Sequence, residues 1–244
     1  MCGRSRQTVQ PQALASAVGF NPNVPLRRAN HYRRRENAHP GNATPIAYKT
    51  RKGDDALRAM RWGLVPSFTR KGEKPNFFRM FNARSETAAE KPSFRRLVGR
   101  RHGVVAFTGF YEWKQDDKGE RQPYYFHFED GRPLLFAVLY DTWQQGERYI
   151  GGGGGGSEDG TGNGKAPAEA MTVSSAASAA TARGAGGGGE SEAGEQKVTT
   201  PEEREQEALV LKEVEEEDSD GTVMFSYAVL TTSAAPRLRW LHER

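Results

Sequence analysis

The chain reads as an α+β protein built mainly on an antiparallel β-sheet curled toward a barrel. Three observations carry that reading. Short runs rich in β-branched and aromatic residues recur between Gly, Pro and acidic turns. Helical stretches are few and short. One long stretch without any aromatic residue sets the last strand-like run apart from the others, as an insertion within a single domain does.

In chain order, Pro11 to Val18 reads as a helix with proline in its first turn. Ala56 to Leu64 reads as a strand, and Ser85 to Glu90 as a short helix with Ser85 as its N-cap. Gly103 to Phe107, Pro123 to Phe128 and Leu134 to Tyr140 are three further strands. Gly151 to Asp220 holds glycine runs, an Ala/Ser/Thr tract over Ser174 to Ala182 and no aromatic residue. Such a stretch buries too little apolar surface to offset its ordering entropy, so disorder is expected there. Its acidic end, Glu202 to Glu217, has the pattern of a frayed helix opened by Thr200–Pro201. Order resumes with the strand Val223 to Thr231 and a last helix from Ala234 to His242. The expected organisation is one domain over 1–244, interrupted at about 151–220. A strand can pair across such a loop, because closure entropy grows only logarithmically with length.

Composition narrows the function classes. The chain has 244 residues and a single cysteine, which excludes an internal disulfide and a cysteine-rich zinc site. The histidines are His31, His39, His102, His127 and His242, and none shows the paired spacing of a zinc helix. No metal or cofactor is called for. No apolar run approaches the ~18 residues of a membrane helix, and the chain does not open on a secretory signal. The expectation is a monomeric intracellular protein of the cytoplasm or nucleus, with no membrane partner. Residues 1–150 carry 27 Lys/Arg against 14 Asp/Glu, while residues 151–244 carry 8 against 17. The basic part suits a polyanion such as nucleic acid; a solvated basic face is the alternative.

The lone cysteine is residue 2. Trimming of Met1, expected before a small residue, leaves Cys2 with a free α-amine beside its thiol. The amine condenses with an aldehyde to an imine, and the thiol closes on the imine carbon as a thiazolidine. An α-amine titrates near ~7.7–8.0 and a thiol near ~8.5, and neighbouring cations such as Arg4 and Arg6 favour the thiolate.

Four more blocks accompany Met1-Cys-Gly-Arg4: Met60-Arg-Trp-Gly-Leu-Val-Pro66, Phe81-Asn-Ala-Arg-Ser-Glu-Thr87, Gly109-Phe-Tyr-Glu-Trp113, and Leu230-Thr-Thr-Ser233 with Leu241-His-Glu-Arg244. In this order they closely resemble the SRAP family, named for SOS response-associated peptidases, over about residues 1–145 and 222–244. The resemblance implies a protein of the DNA damage response. It would bind single-stranded DNA and trap the ring-opened sugar aldehyde of an abasic site on Cys2, with peptidase or lyase-like activity attached to the family. It further implies that Asn82 bonds near the Cys2 amine and the sugar. Arg84 would hold a phosphate through its guanidinium fork. Glu112 would act as general acid/base, and His242 would assist ring opening and reversal. Arg4, and less closely Asn37 and Pro40 in Glu36-Asn-Ala-His-Pro40, fall to the DNA-binding surface. The family pattern continues beyond the active-site histidine, so a chain stopping at Arg244 reads as cut short.

The residues also carry these roles on their own chemistry, each beside a plainer alternative. Glu112 sits between Tyr111 and Trp113, where desolvation favours the protonated, proton-donating carboxyl; alternatively it faces outward from a strand. Asn82 suits a turn into the Ser85-capped helix, and His242 a helix surface. Trp62, next to Arg61, is read as a base-stacking residue, with a core position as the alternative. Two other functions stay open: a thiol peptidase, which needs the thiol but not the amine, and a non-covalent reader of modified cytosine.

Overall fold

Five strands close on one another into a barrel. The computed structural model describes residues 3–144, the backbone of 169–173, and residues 223–241. Its strands are β1 (Arg4–Gln7), β2 (Leu26–Arg27), β3 (Arg35–Ala38), β4 (Ala43–Lys49), β5 (Asp55–Trp62), β6 (Asn82–Arg84), β7 (His102–Phe107), β8 (Gly109–Gln115), β9 (Arg121–Phe128), β10 (Leu134–Gln144), β11 (Glu169–Val173) and β12 (Val223–Thr231). The described helices are α1 (Pro11–Ala17) and α2 (Pro92–Arg95), with 3-10 turns at Ala29–His31 and Pro236–Leu238. β5, β4, β7, β10 and β12 pair antiparallel in that order. A parallel contact, Ser226 with Arg61 and Tyr227 with Trp62, joins β12 back to β5 and closes the ring. β2 and β6 add parallel to β5 and β12.

Strand alternation explains the core. Successive side chains point to opposite faces. Ile46, Tyr48, Met60, Trp62, Val105, Phe107, Val138, Tyr140, Tyr227 and Val229 cluster together, drawn from all five barrel strands. The residues between them are buried too. Ala47, Leu57 and Ala106 pack under Leu14 and Ala15 of α1, and Leu139 and Ala228 pack with Phe94 of α2. Both faces of these strands are covered, so β4 and β5 are buried almost continuously rather than at alternate positions, Arg58 of β5 included.

The second sheet runs β11-β9-β8-β1-β3. A buried polar chain fastens it to the barrel. Tyr227 donates its hydroxyl to Thr44 at 3.1 Å, Thr44 donates to Gln7 Oε1 at 2.8 Å, and Gln7 donates to Ser5 at 3.3 Å. Ser5, Gln7, Thr44 and Tyr227 are at most 2% exposed, so each needs these partners.

Two expected helices are corrected. Ser85 to Glu90 forms turns: the Ser85 N–H bonds the Thr231 carbonyl, and Thr87 and Glu90 bond back three residues only. The helix begins later, with Pro92 in its first turn. Ala234 to His242 holds only the 3-10 turn at Pro236–Leu238 among its described residues. The strand expected over Ala56 to Leu64 stops at Trp62, because Gly63 takes φ +107° and a Cβ there would meet the Phe77 carbonyl oxygen at 2.2 Å. Within 151–220, for which the sequence suggests disorder, β11 pairs parallel to β9; the other residues of that stretch lie outside those described.

Candidate functional site

β1 lies between β3 and β8, with Arg4 opposite Tyr111 and Arg6 opposite Gly109. The chain therefore enters the fold beside the β8 segment that carries Glu112. Gly3, just ahead of β1, sits over the Phe81 ring, which a Cβ would meet at 3.4 Å. Gly109 admits no side chain, since the Tyr125 ring would lie 2.4 Å from its Cβ. That fit lets the β8–β9 pair close over Tyr125, and it explains the glycine that opens Gly109-Phe-Tyr-Glu-Trp113.

Phe110 and Glu112, two apart, share the inner face of β8. Glu112 is 8% exposed. Both line a cavity of about 260 Å³ with Trp62, Phe107, Phe126 and Phe136, roofed by Val229–Thr232, Ala234, Leu238 and Leu241. Asn82 lies on β6 opposite Val229, so the strand bearing Asn82 runs beside one wall of that cavity. Arg84, two residues on, is exposed opposite Thr231. Arg4 is exposed and donates to Asn37 Oδ1 at 3.5 Å across β1 and β3. The structure thus sets Glu112 and Asn37 beside the start of β1 at Arg4, and Asn82 next in the chain to Phe81, which lies against Gly3, while Arg84 stands opposite Thr231 at the cavity's edge. Cys2 and His242 lie outside the described residues.

Two expected DNA contacts are corrected. Trp62 is fully buried, and its indole N–H donates to the Phe81 carbonyl at 3.0 Å. Its edge meets Phe81 with centroids 6.1 Å apart. Pairing along β5 turns Arg61 outward and Trp62 into the barrel, so it offers no face to a base. Pro40 is also buried.

Aromatic faces are available elsewhere. Phe78 is 62% exposed and stacks on His39 at 6.2 Å, and Trp113 is 37% exposed. In Asn76-Phe-Phe78 the first ring packs with Val65, Trp143 and Met224. The Asn76 side chain accepts the Phe78 N–H at 3.1 Å, a turn that presents the second ring outward. That adjacent pair within the basic stretch Arg70 to Arg79 was the available sequence signal. Arg61 donates to the Gly41 carbonyl at 2.9 Å, and burial lowers its pKa. Arg6 is held more firmly protonated, mainly by its hydrogen bond to Glu36 and then by Tyr125. Burial raises the Tyr111 phenol.

A barrel whose flanking sheet sets a buried carboxyl at an apolar cavity, beside the start of β1, is the class of site seen here. The chain belongs to the SRAP family, SOS response associated peptidase, whose model matches residues 1–178. Abasic site processing protein YobE of Bacillus subtilis is 39% identical over 90 residues, 37% of this chain and 40% of that protein. Abasic site processing protein HMCES of Rattus norvegicus is 27% identical over 190 residues, 61% of this chain and 54% of that one. The chain thus spans about half or less of these relatives. A Bordetella bronchiseptica protein of known crystal structure shares the fold at TM-score 0.55 and 16% identity, covering 99% of this chain and 78% of its own. No helix among the described residues is long and apolar enough to cross a membrane.

Proposed function

We propose that this chain captures abasic sites in single-stranded DNA through a covalent bond to Cys2. The α-amine attacks the C1′ aldehyde of the ring-opened sugar and releases water as the imine forms. The thiol then adds across the imine and leaves a thiazolidine. The observation that supports this reading is the β1–β8 register, which sets Arg4, two residues after Cys2, opposite Tyr111 and so next to Glu112. Family membership and relatives named for abasic site processing support it.

In this reading Glu112 exchanges the proton at the sugar ring oxygen and at the amine. Asn82 orients the amine and sugar, and His242 assists ring opening and reversal. Arg84 and Arg4 hold phosphates, with Asn37 supporting Arg4. Phe78 and Trp113 replace Trp62 as the surfaces on which bases stack, an interaction worth about 1–3 kcal/mol per base.

A denaturing gel tests the reading. Protein mixed with an oligonucleotide carrying one abasic site gives an adduct resistant to heat and detergent, and undamaged DNA gives none. Cys2→Ala removes the adduct; an equally stable one without reductant sinks the chemistry. Acetylating the α-amine also abolishes it, whereas acyl transfer by the thiol survives that block.

A further inference from the structure

The cavity beside Glu112 is larger and far more apolar than a deoxyribose requires. An abasic sugar carries hydroxyl groups and flanking phosphates. The cavity is walled by the rings of Phe107, Phe110, Phe126 and Phe136 and by aliphatic side chains of β12 and the closing segment. Its polar side chains are Glu112, Thr231 and Thr232. Its volume is about 260 Å³, whereas an apolar protein cavity of about 150 Å³ already takes up benzene. There is room for a six-membered ring and a short tether.

We propose that this cavity receives the hydrocarbon part of a small apolar aldehyde whose carbonyl stands at Glu112, and that the Cys2 aminothiol captures it. The site is then a trap for free apolar aldehydes as well as for DNA. This rests on the aminothiol chemistry proposed above. The step balances without an oxidant or reductant. The amine nitrogen bonds the carbonyl carbon, the oxygen leaves as water, and the thiol S–H adds across the C=N bond.

The geometry supports the placement from two sides. Glu112 belongs both to the cavity wall and to the strand paired with β1. Phe81, which lies against Gly3, also meets Trp62 of the cavity wall. Gly3 is thus one ring, Phe81, away from the cavity wall.

The test uses the full chain after confirming Met1 removal by intact mass. Adduct formation with phenylacetaldehyde and with glycolaldehyde is followed by mass spectrometry, and each rate is divided by that of the free peptide Cys-Gly-Arg-Ser. The phenylacetaldehyde ratio exceeds the glycolaldehyde ratio by about tenfold or more, the worth of burying a ring. Ala234→Phe and Thr232→Trp, each filling the cavity from its rim, bring the two ratios together. Equal ratios in the unaltered protein, or an advantage that survives in both variants, overturn the proposal. An abasic oligonucleotide is run on the same preparation. A DNA adduct without phenylacetaldehyde preference removes the cavity proposal alone. Failure with DNA and with both aldehydes removes the aminothiol reading and this one together.

Discussion

In the barrel, β4 is buried at six of its seven residues, Ala43 to Tyr48, and β5 at six of its eight. In the neighbouring sheet, β3 buries only Ala38 and β8 only Gly109 and Glu112. The barrel strands carry apolar residues, large aromatic ones included, packed on both faces. The sheet strands carry arginine, tyrosine, tryptophan and glutamate, many half exposed. One region is held by closure on itself; the other is fastened to it through the buried chain of Gln7, Thr44 and Tyr227 and through the Phe110 ring against Phe136. Of the residues given roles in the proposed function, Glu112, Arg4 and Asn37 stand on the half-exposed sheet, while Asn82 and Arg84 stand on β6 at the barrel's side.

Substitutions break or sharpen this contrast. The largest effect is expected at Glu112. Glu112→Gln slows crosslinking to abasic DNA by about 10²–10⁴-fold while leaving non-covalent binding intact, as a time course beside a binding isotherm shows. A wild-type rate would make Glu112 a packing residue like its barrel counterparts. Trp62→Ala acts in the opposite sense and costs about 3–5 kcal/mol of stability, read from denaturant unfolding. If it weakened DNA binding with little loss of stability, the burial of Trp62 would not describe the working protein.

Next comes Tyr140, inside the barrel, where burial pushes the phenol up from 10.0 to about 12. The folded state holds this proton more tightly than the unfolded state. The stability it contributes is therefore complete below the unfolded value and is lost as pH rises through the folded one. The loss amounts to about 2–3 kcal/mol. Tyr140→Phe flattens that alkaline decline. An unchanged profile would assign the decline to other groups. The smallest effect belongs to Arg84, exposed on the site side. Arg84→Ala leaves the melting temperature in place and reduces the salt dependence of single-strand binding by one contact, a slope change of about 0.7. An unchanged slope would remove Arg84 from the DNA path.

The fold class was legible because hydrophobic burial writes itself locally. The Val223–Thr231 strand matches residue for residue, and Gly103–Phe107 misses one residue at its start. β4 was hidden by Pro45, which argues against a central strand; β7 pairs only with Ile46 to Tyr48, so the proline stands beyond that ladder. A curl toward a barrel was legible, but not which strands close it, since the contact of Tyr227 with Trp62 leaves no local pattern. At the site, the short blocks pointed to Glu112 and Asn82. The choice between Trp62 and Phe78 as the exposed ring turned on which side of a strand each falls, and on an asparagine turn, neither of which composition reveals.

Gln144 and Val223 are direct partners across β10 and β12. Residues facing each other in such a ladder have Cα atoms only about 4.5–5.5 Å apart. Whatever the chain does between them, it leaves and re-enters the barrel through the same doorway. Lengthening that excursion costs little, about 0.6 kcal/mol per doubling. The doorway is a natural port for a graft: a fluorescent domain or an affinity handle spliced there would hang from a stem clamped by the β10–β12 ladder.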